Sequence, residues 1–107
     1  MSRRVVLRPE VPDDMQAIVT WLEQSSIQVA DRFVASTFAA FDDLAGMPGK
    51  GSPKHFRRSG LTGIRSWAVP GFPKYLIYYQ THPDAIVILA VLHGARDVRR
   101  ILKGRLP

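Results

Sequence analysis

Ala85 to Leu92 is an unbroken apolar run, AIVILAVL. It is far too short to cross a bilayer, which takes roughly 20 residues as a helix. Rich in β-branched residues and bounded by turn signals, it reads as a strand near the centre of a sheet, covered on both faces or nearly so. The rest of the chain must supply that cover. Ile64 to Val69 reads as a strand, Pro70-Gly71-Phe72-Pro73 as a turn and Tyr75 to Gln80 as the next strand. His82-Pro83-Asp84 turns the chain again into the apolar run. Links this short make the three strands an antiparallel meander.

The N-terminal half carries the helical signals. Arg4 to Pro9 is a short strand stopped by its proline. Pro12-Asp13-Asp14 opens a helix, with its acids where the helix dipole favours them. Met15, Ile18, Val19 and Leu22 then fall on one helical face. Ser25-Ser26 interrupts. A second helix follows, with Ala30, Val34, Phe38, Phe41 and Ala45 on one face and Phe33, Thr37 and Leu44 beside it. So short a joint predicts an antiparallel helical hairpin. Gly46 to Gly63, with five glycines and two prolines, reads as a loop. After Gly94 a short helix is expected, with Val98, Ile101 and Leu102 inward. The predicted order is β-α-α-β-β-β-α. This is an α+β fold, an antiparallel twisted sheet with the helical hairpin packed on one face, formed as a single domain over residues 1–107.

Charge is divided unevenly. Residues 1–43 carry seven acids and four bases, a net of −3; residues 44–107 carry two acids and eleven bases, a net of +9. The C-terminal half therefore presents a positive surface suited to a polyanionic partner. The absence of cysteine excludes disulfides and thiolate metal sites. The three histidines have no metal-ligand spacing, and there is no phosphate-binding glycine loop or nucleophile elbow. No cofactor and no metal are expected. The basic N-terminus lacks the apolar stretch of a signal peptide, so a soluble, cytoplasmic protein without a membrane role is expected.

Three clusters are candidates for chemistry. Lys50, Lys54, His55, Arg57, Arg58 and Arg65 surround the glycine-rich loop, either as phosphate contacts or as a solvated surface. His93-Gly94-Ala95-Arg96-Asp97 ends the buried strand. There Asp97 suits a helix cap and His93 is a candidate acid or base. Arg99, Arg100, Lys103 and Arg105 make the last helix basic and amphipathic, which suits its dipole and also suits a docked partner. Trp67, Phe72, Tyr75, Tyr78 and Tyr79 interleave with bases, as a stacking platform or as core. The acids of the helical hairpin are expected to lie away from the basic half, which argues against a two-carboxylate mechanism.

Four stretches in order resemble the ParE/RelE toxin superfamily and cover roughly residues 4–103. They are Phe41 to Gly49 (FDDLAGMPG), Gly63 to Val69 (GIRSWAV), Phe72 to Tyr79 (FPKYLIYY), and Ile86 to Leu92 leading into His93-Gly94-Ala95-Arg96-Asp97. The last of these resembles the ParE branch in particular. The resemblance implies the toxin of a type II toxin–antitoxin, or plasmid stabilisation, system, neutralised by direct binding of a ParD-like antitoxin. Leu22, Phe33, Phe41, Trp67 and Tyr79 are the candidates for that contact. It implies DNA gyrase, through its A subunit, as the target. Lys54, Arg57, Arg58, Arg65, Arg96, Arg99 and Arg100 are the candidate target contacts. The RelE branch implies instead a ribosome-dependent mRNA endoribonuclease, for which Lys54, Arg65, His93 and Arg96 are the catalytic candidates. Such enzymes carry a tyrosine near the C-terminus, whereas no tyrosine follows Tyr79 here. A third possibility is an inert member that only binds an antitoxin.

Overall fold

The computed structural model describes residues 2–56 and 61–106. Strand β1 (Arg4–Leu7) leads into helix α1 (Val11–Glu23) and helix α2 (Ile27–Gly46). A single 3-10 turn (Pro48–Lys50) and a two-residue strand, β2 (Ser52–Pro53), follow. Strands β3 (Ile64–Val69), β4 (Phe72–Thr81) and β5 (Ala85–His93) form the meander, and helix α3 (Val98–Arg105) ends the described chain. The order matches the expected one, with two additions inside the stretch expected to be loop. Pro48–Lys50 makes a helical turn, and Ser52–Pro53 pairs antiparallel with Arg65 and Ser66.

The sheet order is β1-β5-β4-β3-β2. All pairs are antiparallel except β1 with β5, which is parallel (Arg4↔Ala85 to Leu7↔Ile88). The helical hairpin is the crossover that allows it, because it returns the chain to the same end of the sheet. Beyond Ile88 the outer edge of β5 has no strand neighbour among the described residues.

The expectation for β5 holds in detail, because the sheet has a core on each face. Ile86, Ile88 and Val91 face α1 and α2 with Phe33, Phe41 and Leu44. Leu89, Ala90 and Leu92 face α3 with Leu61, Ile64, Tyr78 and Leu102. Two successive residues, Leu89 and Ala90, reach the α3 side because the β4–β5 register slips between Tyr78↔Ala90 and Tyr79↔Ile88. This is a β-bulge, which inserts one residue and re-aims the strand.

Ser26 caps α2, its hydroxyl accepting from the Val29 N–H at 3.2 Å. The buried stripe of α2 runs through Ala30, Phe33, Thr37, Ala40, Phe41 and Leu44. Phe38, expected on the inner face, stands at its margin and is 48% exposed. The Phe33 ring meets Phe72 and Tyr75 edge-on at 5.3 and 5.2 Å, joining α2 to β4. The turn between β3 and β4 uses Pro70 and Gly71, the latter at φ 83, where glycine carries no Cβ penalty. The Ser36 hydroxyl ties α2 to this turn through the Pro70 carbonyl, at 2.6 Å.

Candidate functional site

Polar side chains gather at opposite ends of the sheet, and a basic helix face lies on its far side. At one end, Asp14 of α1 and Arg105 of α3 form a bidentate ion pair, both distances 2.6 Å, with only 7% and 13% of their side chains exposed. The pair also takes up the open edge of β5. The Asp14 carboxylate accepts the Val91 N–H at 3.0 Å, and Arg105 donates to the Leu89 carbonyl at 3.0 Å. The bulge presents these backbone groups, and they would otherwise be unpaired. The hydrogen bonds that Arg105 donates to Asp14 raise the Arg105 pKa above its ordinary value, against the effect of burial. An eight-residue helix has no stability of its own. Leu102, fully buried, and this ion pair hold α3 to the sheet.

Beside the pair opens a cleft of about 420 Å3 between α1 and the end of β5. Ile18, Trp21, Tyr75 and Leu92 make its apolar walls; His93 and Arg96 stand at its rim. Trp21 is 65% exposed, a large apolar surface for a small domain. The His93 ring packs edge-on against Tyr75 at 5.2 Å, and its Nδ1 accepts the Ala95 N–H at 3.0 Å. Only Nε2 is left for a ligand.

At the other end, the Tyr79 hydroxyl donates to the Pro48 carbonyl at 2.5 Å and accepts the Gly51 N–H at 2.9 Å. Arg65 donates to the Gly51 carbonyl at 2.6 Å. Lys50 lies 4.7 Å from the centre of the Trp67 ring, a cation–π contact. Burial raises the Tyr79 pKa, opposed by the Gly51 hydrogen bond and the Arg65 charge. Gly51 is required here for close approach: a Cβ would collide with the Tyr79 hydroxyl and lie 2.9 Å from the Ser66 carbonyl oxygen.

On the far face, Arg96, Arg99, Arg100 and Lys103 are all exposed, while Val98, Ile101 and Leu102 turn inward. Asp97 caps the helix through the Arg100 N–H at 3.3 Å, as expected of it.

The family model for the ParE toxin of the type II toxin–antitoxin system parDE matches residues 5–98. This chain belongs to the ParE toxin family. The fold agrees with a solved structure described as the chromosomal ParDE toxin–antitoxin system from P. aeruginosa. The TM-score is 0.66 at 15% identity, over 86% of this chain and 96% of that one. A search among curated proteins gives no match.

In this ParE-family chain the ribonuclease candidates do not form one constellation. Arg65 pairs with Tyr79 and His93 with Tyr75, four residues away along β4. At about 3.3 Å per residue and 4.8 Å per strand, the Cα atoms of Arg65 and His93 are roughly 16 Å apart. Lys54, whose N–H donates to the Ile64 carbonyl at 2.8 Å, sits beyond Arg65, still further from His93 and Arg96. Arg65 is also committed to the Gly51 carbonyl. Among the candidate antitoxin contacts, Phe33, Phe41 and Tyr79 are at most 2% exposed. They are core side chains, and the expectation that they meet a partner directly is corrected. Leu22 and Trp67 are half-buried, the latter under Lys50. Arg57 and Arg58 lie outside the described residues. The expected separation of hairpin acids from the basic half also needs correcting, since Asp14 is joined to Arg105. The sequence reading missed this pair although a signal existed. Asp14 stands three residues after Val11 and four before Ile18, on the buried stripe of α1, and Arg105 likewise extends the Ile101–Leu102 stripe of α3.

No helix among the described residues is long and apolar enough to cross a membrane. Among the same residues, no three His, Asp or Glu side chains lie together as a metal would need.

Proposed function

We propose that this toxin arrests growth in the cytoplasm by poisoning DNA gyrase and is neutralised by direct binding of a ParD-like antitoxin. The observation that carries the gyrase reading is the separation of Lys54 and Arg65 from His93 and Arg96 at opposite ends of the sheet. Metal-free RNA cleavage needs a base, a proton donor and cations around one phosphate. The Cα atoms of Arg65 and His93 are about 16 Å apart, and the Arg65 guanidinium is held on the Gly51 carbonyl, so the two do not converge on one phosphate. A toxin that binds and blocks an enzyme needs only a presented surface. Arg96, Arg99 and Arg100 provide one, with Lys54 at the other end.

The cleft supports the antitoxin reading. It combines an exposed Trp21, an apolar floor and Arg96 at the rim. An antitoxin segment with apolar side chains and an acid placed against Arg96 fits it.

The test is a supercoiling assay with purified toxin and gyrase, run beside a ribosome-dependent mRNA cleavage assay. Loss of supercoiling with intact mRNA is expected. Cut mRNA with normal supercoiling overturns the gyrase reading in favour of ribonuclease activity. No effect in either assay, and no growth arrest on expression of the lone chain, would identify an inert antitoxin-binding member.

A further inference from the structure

We propose that the outward face of α3 binds the phosphate backbone of double-stranded DNA, so that the toxin grips the DNA held by its enzyme target. The choice of DNA among polyanions rests on the gyrase reading above. The binding surface itself rests on the helix.

Arg96, Arg99, Arg100 and Lys103 are exposed. None of the ion pairs among the described residues involves them. Only two acids occur after Asp43. Of these, Asp84 pairs with Arg4 at 3.7 Å and Asp97 is turned to the Arg100 N–H. Four cations on one face, with Asp97 the one acid beside them among the described residues, leave an excess of positive charge that repels itself, and the domain tolerates this where a partner supplies negative charge.

The chemistry of the face selects phosphate over an acidic protein surface. Protein interfaces have an apolar centre with a polar rim. Here Val98, Ile101 and Leu102 all turn into the core, leaving charge at the centre. Three of the four cations are arginines, whose planar fork matches two phosphate oxygens. Arg99 and Lys103 are four residues apart, about 6 Å of rise, while a DNA strand presents a phosphate about every 3.4 Å along its axis. Successive phosphates of one strand therefore fall within reach of these long side chains. Two shallow clefts flank the ridge. One of about 560 Å3 is lined by Phe56, Asp97, Arg99, Arg100 and Lys103; the other, of about 510 Å3, includes Arg96, Asp97, Arg100 and Gly104, so each cleft has more cations than acids. A Cβ at Gly104 would meet no atom within 4 Å, so this side of the helix is open to a close-lying backbone.

The test is fluorescence anisotropy of the purified chain with a labelled 20-base-pair duplex, titrated at several salt concentrations. Four phosphate contacts predict a slope of log K against log salt near −3.6, a loss of roughly 150-fold between 50 and 200 mM salt. Arg99→Ala with Arg100→Ala should reduce the slope to about −1.8 and that loss to roughly 12-fold. Arg99→Lys with Arg100→Lys, which keeps the charges, should keep the slope. Arg32→Ala, on the opposite face of the sheet, should change nothing. All three positions are exposed, and thermal melts confirm that the variants fold. A slope unchanged by the double alanine variant overturns the proposal. So does absence of binding at 50 mM salt, or equal or tighter binding of polyglutamate or duplex RNA in competition. Binding without gyrase inhibition would keep this inference and remove the gyrase reading. Inhibition without DNA binding would do the reverse.

Discussion

The anchors at the two ends of the sheet hold different segments by different chemistry. At one end, two charges withdrawn from water join α1 to α3 and satisfy Leu89 and Val91 of the β5 bulge. At the other, a phenol hydroxyl and the fixed Arg65 guanidinium hold the Pro48–Gly51 segment to the sheet. Both segments are too short to order themselves, and both carry exposed cations. The contrast teaches where failure is costly. Losing one member of a buried ion pair strands the other charge, whereas losing a hydroxyl strands only neutral backbone groups.

The largest expected effect is at the charged end. Arg105→Ala leaves Asp14 buried and unpaired and should cost about 3–5 kcal/mol by urea unfolding. Replacing both members, Asp14→Leu with Arg105→Met, should recover only part of that loss, because the Val91 N–H and Leu89 carbonyl stay unpaired. A loss under about 1 kcal/mol for Arg105→Ala would break the comparison.

Next is Gly51→Ala, which forces a Cβ against Tyr79 and the Ser66 carbonyl and should cost about 2–3 kcal/mol. Tyr79→Phe alone should cost about 1–2 kcal/mol by leaving the Pro48 carbonyl and Gly51 N–H unpaired. Since Tyr79→Phe also removes the hydroxyl that the added Cβ strikes, the double variant should be more stable than the sum of the two single losses.

The pH response should separate the ends further. Tyr78 and Tyr79 have folded pKa values raised above 10.0 by burial. Their contribution is fully present below that pH and is lost as pH rises through the folded values. Arg105, also raised, keeps its charge in this window. Stability followed by circular dichroism should therefore fall above about pH 10, less steeply in Tyr79→Phe. An identical alkaline slope in that variant would remove Tyr79 from the account. The smallest effect is Asp97→Ala, about 1 kcal/mol from loss of the cap on α3.

Much of the fold could be read along the chain because local patterns and global packing agree. The AIVILAVL run does lie between two cores, Ser26 does start α2, and Pro70-Gly71 does turn β3 into β4. Three features escaped. The parallel β1–β5 pairing is set by the crossover of the hairpin, which composition does not encode. The bulge at Leu89–Ala90 leaves no mark in a run where every residue is apolar. Tyr79 and Arg65 look like a partner's platform until Gly51 and Pro48 are folded over them. The candidate site was legible as charge and not as geometry. Cations can be counted in a sequence, but only the sheet register shows that Arg65 and His93 lie at opposite ends.

The most direct test of the central claim is the yield of broken DNA when purified gyrase turns over plasmid in the presence of this toxin. Accumulated cleavage complexes are expected with the wild-type chain, sharply fewer with Arg96→Ala, Arg99→Ala and Arg100→Ala combined, and unchanged yield with Arg32→Ala. Cleavage complexes at background level with a wild-type chain that still stops growth would contradict that claim.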